Sequence, residues 1–459
     1  MPLRGDRQCR SEAIVPEAIV EGGMTILNQE RGAAVDEPEE FLTPYLGRTV
    51  RIVGPVANVD PKQTPHPMNQ RGELGKALYN WRHNTVSNDP ITRIVFENHC
   101  ADRAHVLNTA MRRVPKGTTS PRRTPVPDPA TMSRHIKRVA KYLGLDVVGI
   151  GRSHPSFLYA GKSLDGISGE DGEPLDTPER LARQLPYVIA GTVAWDYKMT
   201  KAHRHRIGDA AYDFTGQQTN LILSAIEGHI RELGYHTLRG AMNGQAAALA
   251  AGVGELGRNG MIITEKFGAR VHASDAIMTD LPLEPDQPLD IGVDAFCKVC
   301  RKCATTCPTN SITFDDKVVE NGVEKYKINW LTCYKLRPYV AEHWVNCLTC
   351  VAICPFTKPN TWWHALAIRA LKTTSVTVRG LTARGLKWLD DRIWGMVPNK
   401  RIRWLGYDSG VKPGELACTV AGCTAPHGEA GSGKATIALE DIGYYAPLKE
   451  NANRFFKRA

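Results

Sequence analysis

The sequence contains no run of eighteen or more apolar residues, which argues against a helix that crosses a bilayer. Its N-terminal stretch shows neither an apolar segment nor a twin-arginine pair ahead of one. No export leader is therefore expected, and the expected location is cytoplasmic, with peripheral membrane association as the alternative. No Gly-x-Gly-x-x-Gly fingerprint follows a strand pattern, and Gly252-Val-Gly254-Glu-Leu-Gly257 is not read as one; this argues against a flavin or nicotinamide held on a Rossmann turn. No internal repeat is visible apart from two similar groups of cysteines, which sets solenoids and propellers aside.

What is present reads as an ordinary globular chain. Its 459 residues, 42% hydrophobic and 23% charged, suffice for about two to four packed domains with a real core. A formal charge of +10 suits nucleic acid, an anionic surface or an acidic ligand, and charge alone does not choose among them. Part of the excess is local: nine Lys or Arg fall between Arg369 and Arg403 against Asp390 and Asp391, and a solvated helix face is the plainest reading of that run.

Residues 1 to about 40 lack sustained periodicity and read as a loosely ordered arm. The Pro, Thr and Arg stretch from Pro115 to Pro129 reads as a linker, so the expected divisions are 1–130, a core at 131–289, a cysteine-rich segment at 290–360 and a C-terminal segment at 361–459. Ile136, Val139, Ala140 and Leu143 share one helix face closed by Gly144, and Asp146 to Ile150 is a short buried strand. Val188 to Trp195 reads as a second strand, Leu221 to Leu233 as a helix closed by Gly234, and Met261 to Thr264 as a third strand. Such alternation predicts an α/β layered core.

Eight of the twelve cysteines fall between positions 297 and 354, and Cys9, Cys100, Cys418 and Cys423 are left over. Clustering of this kind points to metal rather than to disulfides. The first group, Cys297-Lys-Val-Cys300-Arg-Lys-Cys303-Ala-Thr-Thr-Cys307-Pro308, is the bacterial ferredoxin run, in which three thiolates hold one 4Fe-4S cluster and the fourth crosses to another. The second, Cys347-Leu-Thr-Cys350-Val-Ala-Ile-Cys354-Pro355, is completed by Cys333 upstream. The crossing rule assigns Cys297, Cys300, Cys303 and Cys354 to one cluster and Cys307, Cys333, Cys347 and Cys350 to the other. Structural zinc fits paired CxxC groups but not this two-two-three spacing followed by proline.

At Ser133 to Asn360 the chain resembles the corrinoid-dependent reductive dehalogenases. The resemblance rests on Ile136 to Ile150, on Gly252-Val-Gly-Glu-Leu-Gly-Arg-Asn-Gly-Met-Ile-Ile-Thr264, on Lys266-Phe-Gly-Ala-Arg270, on Thr279-Asp-Leu-Pro-Leu283 and on the cysteine pattern with its detached Cys333. It implies a cobalamin-type corrinoid in a nitroreductase-like core, with a ferredoxin-like double 4Fe-4S domain inserted late in the chain. A corrinoid beside the glycine turn would meet Gly252, Gly254, Gly257, Arg258, Asn259 and Gly260, with Arg258 facing a phosphate of its nucleotide tail. No Asp-x-His-x-x-Gly stretch occurs, in keeping with a corrinoid whose lower face has no histidine ligand.

The resemblance also implies a proton-donating tyrosine, an asparagine and basic side chains at the pocket. Tyr212 is the tyrosine at hand, although a gapless count from Gly234-Tyr235 places Gly216 at the family's position. Asn243 is the match for the asparagine, and Arg270 and His272 are expected on one face of a strand, both toward the substrate. The implied partners are a small organohalide and a low-potential electron donor such as a ferredoxin, a flavodoxin or a membrane-linked reductase, with no nucleic acid. Two other readings stand beside this one. An epoxyqueuosine reductase acting on tRNA would use the positive charge and Asp209 or Asp213 as acid, but residues 366–459 show no helical repeat to grip RNA. A protein that only carries electrons, or one that reduces or traffics corrinoid, would need no organohalide.

Overall fold

The computed structural model describes residues 41–74, 118–164, 172–203, 206–273, 275–335 and 346–395, with the backbone of 403–404 and 407–408. The chain divides into Met1–Leu42 and Thr43–Ala459; the first unit lies almost wholly outside the described residues, and all the described helices and strands belong to the second. Cys9, Cys100, Cys418 and Cys423 also lie outside the described residues.

In chain order the elements are β1 Arg51–Ile52, α1 Pro65–Gln70, α2 Pro129–Tyr142, β2 Val147–Arg152, α3 Pro178–Gln184, β3 Tyr187–Thr192, α4 Tyr197–Thr200, α5 Arg206–Glu232, β4 Thr237–Arg239, α6 Gly244–Ala250, β5 Glu255–Leu256, β6 Ile262–Ile263 and β7 Ala276–Thr279. The cysteine-rich part comes next with α7 Val293–Cys300, α8 Lys302–Thr305, β8 Val318–Glu320, β9 Val323–Lys325, α9 Trp330–Lys335 and α10 Thr349–Ile353. After these come α11 Trp362–Thr373, α12 Arg379–Ile393 and a small hairpin of β10 Arg403–Trp404 and β11 Tyr407–Asp408.

Four strands in the order β2-β3-β7-β4 form the central sheet. Every pairing in it is antiparallel, so helices and strands alternate as expected but the sheet is not the parallel one of an α/β layer. Alternate side chains of a strand point to opposite faces, and β3 shows this directly. Val188 and Ala190 join Met278 and the Ala247–Ala248 pair of α6 on one side, whereas Ile189 joins Ile136 of α2 and Leu223, Ile226 and Ile230 of α5 on the other. These side chains are fully or almost fully buried, and cutting one Ile back to Ala at such a site costs about 2–5 kcal/mol.

Local chemistry sets the element ends. Asp128 caps α2 by accepting from Ala130 N at 3.0 Å and Thr131 N at 3.1 Å, satisfying donors that the first helical turn leaves open, a contribution of about 1 kcal/mol. A side chain at Gly149 would put its Cβ 1.9 Å from the Ala251 carbonyl, so only glycine lets the end of α6 lie on β2. The helix anticipated at 221–233 begins fifteen residues earlier, at Arg206, because Ala210, Ala211, Thr215 and Thr219 extend the same buried face. Its Thr219 hydroxyl accepts Val193 N at 3.0 Å and so fastens α5 to the end of β3.

One expectation changes. Among the described residues Ile262–Ile263 does not enter the central sheet; it pairs with β5, because the Gly257–Gly260 turn folds it straight back, and β7 takes the place beside β3. Near the chain's start β1 pairs with β9 of the cysteine-rich part, and Arg51 Nε lies 2.7 Å from Glu324.

Candidate active site and cluster centres

Both CxxC turns are built alike. Arg301, directly after Cys300, and Leu348, directly after Cys347, hold left-handed backbone at φ 55° and 54°. For residues with a Cβ that conformation costs about 1–2 kcal/mol, and in each turn it re-aims the chain so that the next cysteine starts from a short helix, α8 or α10. None of the eight cysteines of the two groups forms a disulfide.

Cys297, Cys300, Cys303 and Cys354 line one small cavity together with Phe296, Pro355 and Phe356. Burial pushes the Cys354 thiol up to about 12, with Cys300 adding to the effect, and burial raises Cys303 well above the usual range beside Cys297, Cys300, Cys350 and Cys354. Cys350 is raised in the same way by burial and by Cys333, Cys347 and Cys307. Thiols held this far from ionisation are stable as thiolates only when cationic metal takes the place of the proton. Backbone N–H groups already point at the sulfurs: Arg258 N at 3.4 Å from Cys297 Sγ and Ser311 N at 3.3 Å from Cys307 Sγ. Among the described residues no three Cys, His, Asp or Glu converge on a single ion. A tetrahedral zinc site would draw four sulfurs to about 3.8 Å from one another; a cubane needs the wider spread. Four cysteines around one cavity, three of them at the ferredoxin spacing and the fourth brought from the second run, fit the ligand set of a cubane.

A buried charge network ties the first group to the C-terminal helices. Lys302, 2% exposed, bonds Asp390 of α12 and lies 2.8 Å from Asp391. Lys358, 1% exposed, lies 3.4 Å from the other oxygen of Asp390. Burial pulls both ammoniums down; two close carboxylates more than restore Lys302, whereas Lys358, with one at longer range, stays lowered. Between α11 and α12 an apolar groove of about 540 Å³ reaches Phe296, Pro355 and Phe356, the wall of the first-cluster cavity; its lining includes neither Tyr212 nor His272.

The glycine turn serves the protein itself. Gly252-Val-Gly254-Glu-Leu-Gly257 has the letter spacing of a dinucleotide fingerprint, yet it follows a helix, α6, and opens the β5–β6 hairpin. Gly252 and Gly260 have φ +65° and +68°, and a Cβ there would strike Gln287 O at 2.4 Å and Ile328 Cδ1 at 2.2 Å; Gly254 and Gly257 are packed as tightly against Ile262 and Ile263. The side of each glycine that a Cβ would occupy is therefore filled by the protein's own backbone and side chains. Arg258 is 1% exposed: Nε donates to Cys297 O at 3.1 Å and Nη1 to Thr313 O and Asp315 O at 2.9 and 2.7 Å, and the guanidinium stacks on Tyr326 at 4.0 Å. Through Nε and Nη1 it clamps the cluster segment, while Nη2 is buried without a hydrogen-bond partner among the described residues. Asn259 likewise reaches Cys350 O at 3.3 Å.

Asn243 is the N-cap of α6, its Oδ1 accepting Gln245 N at 3.0 Å and Ala246 N at 3.2 Å; that local role accounts for its carbonyl oxygen. Arg270 and His272 part company, for between them only Val271 bridges, to Ala194. Arg270 is buried with Nη1 donating to Trp195 O, and burial lowers its pKa. His272 instead meets Tyr212: Nε2 and the Tyr212 hydroxyl are 3.1 Å apart, and the rings stack at 4.4 Å. A Cβ at Gly216, one helical turn beyond Tyr212, would stand 3.5 Å from His272 Nδ1. Both positions thus face the same imidazole, Gly216 on the Nδ1 side and the Tyr212 hydroxyl at Nε2. Trp195 packs edge-on against Tyr212 at 5.3 Å.

Around this pair three buried polar atoms, Trp195 Nε1, Tyr197 Oη and Arg270 Nε, have no hydrogen-bond partner among the described residues. Such atoms cost about 1–3 kcal/mol each unless something polar meets them, so they mark the place where a ligand with hydrogen-bonding groups fits. Burial pushes the Tyr197 phenol up to about 12, keeping it a donor. Asp209, on the same helix as Tyr212, accepts Asn346 N at 2.9 Å and Nδ2 at 2.6 Å, which joins the Tyr212 helix to the second cysteine group and commits that carboxylate. The sequence did not single out Trp195, Tyr197 or Asn346, which carry no spacing signal of their own.

A 4Fe-4S dicluster domain profile matches residues 296–358. The tetrachloroethene reductive dehalogenase of Sulfurospirillum multivorans is 29% identical over 265 residues, covering 52% of each chain. The epoxyqueuosine reductase of Bacillus subtilis is 25% identical over 255 residues, 50% of this chain and 64% of that one. Among solved structures, a catabolic reductive dehalogenase superposes with a TM-score of 0.60 at 23% identity, covering 80% of this chain and 51% of that one; it shares the fold. The chain spans about half the length of the curated reductive dehalogenases it matches.

Proposed function

We propose that this chain, a relative of the corrinoid-dependent reductive dehalogenases, removes halide from an organohalide using electrons delivered through two 4Fe-4S clusters. The observation that carries the reading is the joining, within one packed unit, of two four-cysteine sets to the helix whose Tyr212 meets His272. Cys297, Cys300, Cys303 and Cys354 would hold one cluster and Cys307, Cys333, Cys347 and Cys350 the other. The antiparallel sheet with α5 across one face is read as the nitroreductase-like core. The three unpartnered donors beside Tyr212 would meet polar groups of a B12-type corrinoid or of the substrate, and the cofactor would supply low-valent cobalt to the carbon–halogen bond.

The net reaction breaks a carbon–halogen bond, takes up two electrons and one proton, and releases halide. In a site screened from water the proton has to come from a positioned group. A phenol, which ionises near pH 10, is a full donor at neutrality. Tyr212 Oη gives its proton to the carbon, and an N–H at His272 Nε2 stabilises the phenolate left behind. Thr192 holds the His272 backbone in place, its hydroxyl 3.4 Å from His272 N. The Arg270 guanidinium, with one donor unspent, favours an anionic substrate such as a halogenated phenolate or carboxylate. A low-potential carrier, a ferredoxin, a flavodoxin or a membrane-linked reductase, would feed the clusters.

The test is anaerobic halide release by protein reconstituted with iron, sulfide and corrinoid, reduced by a low-potential chemical donor. Release that depends on corrinoid and is faster with acidic than with neutral organohalides is expected. Tight corrinoid binding without halide release from any substrate would overturn the dehalogenase reading in favour of a corrinoid-reducing protein.

A further inference from the structure

The second cysteine group carries a hydrogen-bonded chain that the reaction above does not use. The Thr349 hydroxyl lies 3.1 Å from Cys347 Sγ, and His203 Nδ1 lies 3.0 Å from the same hydroxyl. Thr349 is 4% and His203 2% exposed. His203 comes from the segment after α4, which Lys201 also pins to the cluster turn through Ala352 O at 3.3 Å. Residues from distant parts of the chain are therefore aligned on one sulfur.

The direction of the chain follows from a count of protons. A cluster-bound cysteine sulfur has no proton and can only accept, so the single hydroxyl proton of Thr349 must point at Cys347 Sγ. The Thr349 oxygen then offers only lone pairs to His203, so Nδ1 must carry a proton and donate. The order is His203 Nδ1–H to Thr349 Oγ1–H to Cys347 Sγ, and each link polarises the next.

We propose that Thr349, oriented by His203, sets the reduction potential of the cluster bound through Cys347, with both acting as positioning residues. Reduction adds one negative charge to the cluster, and a donor aimed at a ligand sulfur stabilises that extra charge, raising the potential. Burial strengthens the effect, since no water competes for the sulfur. The first group shows a different arrangement: Cys297 Sγ receives a backbone N–H from Arg258, and among the described residues no side-chain hydroxyl bonds its four sulfurs. The chain therefore raises the second cluster selectively, which biases electrons from the first cluster toward the second, on the side of the helix of Tyr212.

This inference rests on the two-cluster reading, and the experiment separates the two. Iron and sulfide content are measured first, then both cluster midpoints by redox titration monitored by electron paramagnetic resonance, with Cys307→Ser identifying the signal of the second cluster. Thr349→Val, which keeps the shape and removes the hydroxyl, should retain about eight irons. It should shift the one-electron equilibrium of the second cluster about tenfold toward the oxidised form, about 59 mV to lower potential. Thr349→Ser should restore it. His203→Phe should lose part of the same shift, and His203→Asn, which keeps a donor, should recover it. Eight irons with neither midpoint moved in Thr349→Val, or with both moved together, overturns the proposal; fewer than eight irons in the unaltered protein overturns the two-cluster reading instead.

Discussion

The Tyr212 hydroxyl and His272 Nε2 lie 3.1 Å apart, a helix and an extended segment sixty positions away meeting at one hydrogen bond. The contact joins a proton donor to the group that stabilises its conjugate base. Tyr212→Phe keeps the ring that packs on Trp195 and His272 and removes only the hydroxyl. Iron and corrinoid content should remain, while single-turnover product formation from pre-reduced protein falls roughly 100-fold, the usual scale for a positioned acid. A near-normal rate would reduce Tyr212 to a packing residue.

The crossed arrangement of cysteines has its own consequence. Cys354 lines the same cavity as Cys297, Cys300 and Cys303, whereas Cys307 lies among the neighbours of Cys350. Cys354→Ser should alter the spectrum of the first cluster, and Cys307→Ser that of the second. If Cys307→Ser disturbed the first cluster alone, the assignment would be reversed.

Glu255 is fully buried in the β5–β6 hairpin, its Oε2 accepting Ile291 N at 2.7 Å and Val293 N at 3.3 Å. Burial lifts its carboxyl to about 7, against the lowering effect of those two bonds. With the folded value above the unfolded one, the native state binds the extra proton. The stabilisation is complete below the unfolded value near 4.5 and is lost as pH rises through about 7, by about 3 kcal/mol in all. Denaturant titrations between pH 5 and 8 should show that decline, and Glu255→Gln should flatten it. An unchanged slope in the variant would assign the pH dependence to other groups.

Asp390 neutralises two buried lysines, Lys302 and Lys358, that flank the ligands of the first cluster. Removing one partner of a buried ion pair leaves a charge uncompensated and costs about 3–5 kcal/mol. Asp390→Ala should lower the thermal midpoint and loosen the first cluster, read as faster iron loss to a chelator, before the second. Equal loss from both clusters would show that the network supports the segment generally.

How much of the molecule was legible in the chain depends on the range over which each feature acts. The cysteine groups are local: a thiolate every third residue, then a proline, specifies a cluster by covalent reach alone, and the structure sets Cys297, Cys300, Cys303 and Cys354 around one cavity. The helix over 129–142, the β2 and β3 strands and the stops at Gly144 and Gly234 were also readable, because periodicity and glycine conformation act within a few residues. The family resemblance was written in the same short motifs. Tertiary structure alone decided the rest. Nothing in the sequence says that β7 rather than Ile262–Ile263 lies beside β3, since both are short apolar runs and only long-range pairing separates them. Only the folded chain shows that Arg258 spends Nε and Nη1 on carbonyls of the cluster segment, and that Arg270 spends Nη1 on Trp195 O while its Nε stays unpartnered. Tyr212 reaches His272 one helical turn from the expected position, across sixty residues of sequence. A linear count cannot see that contact, because it depends on a helix and an extended segment that meet only in the folded chain.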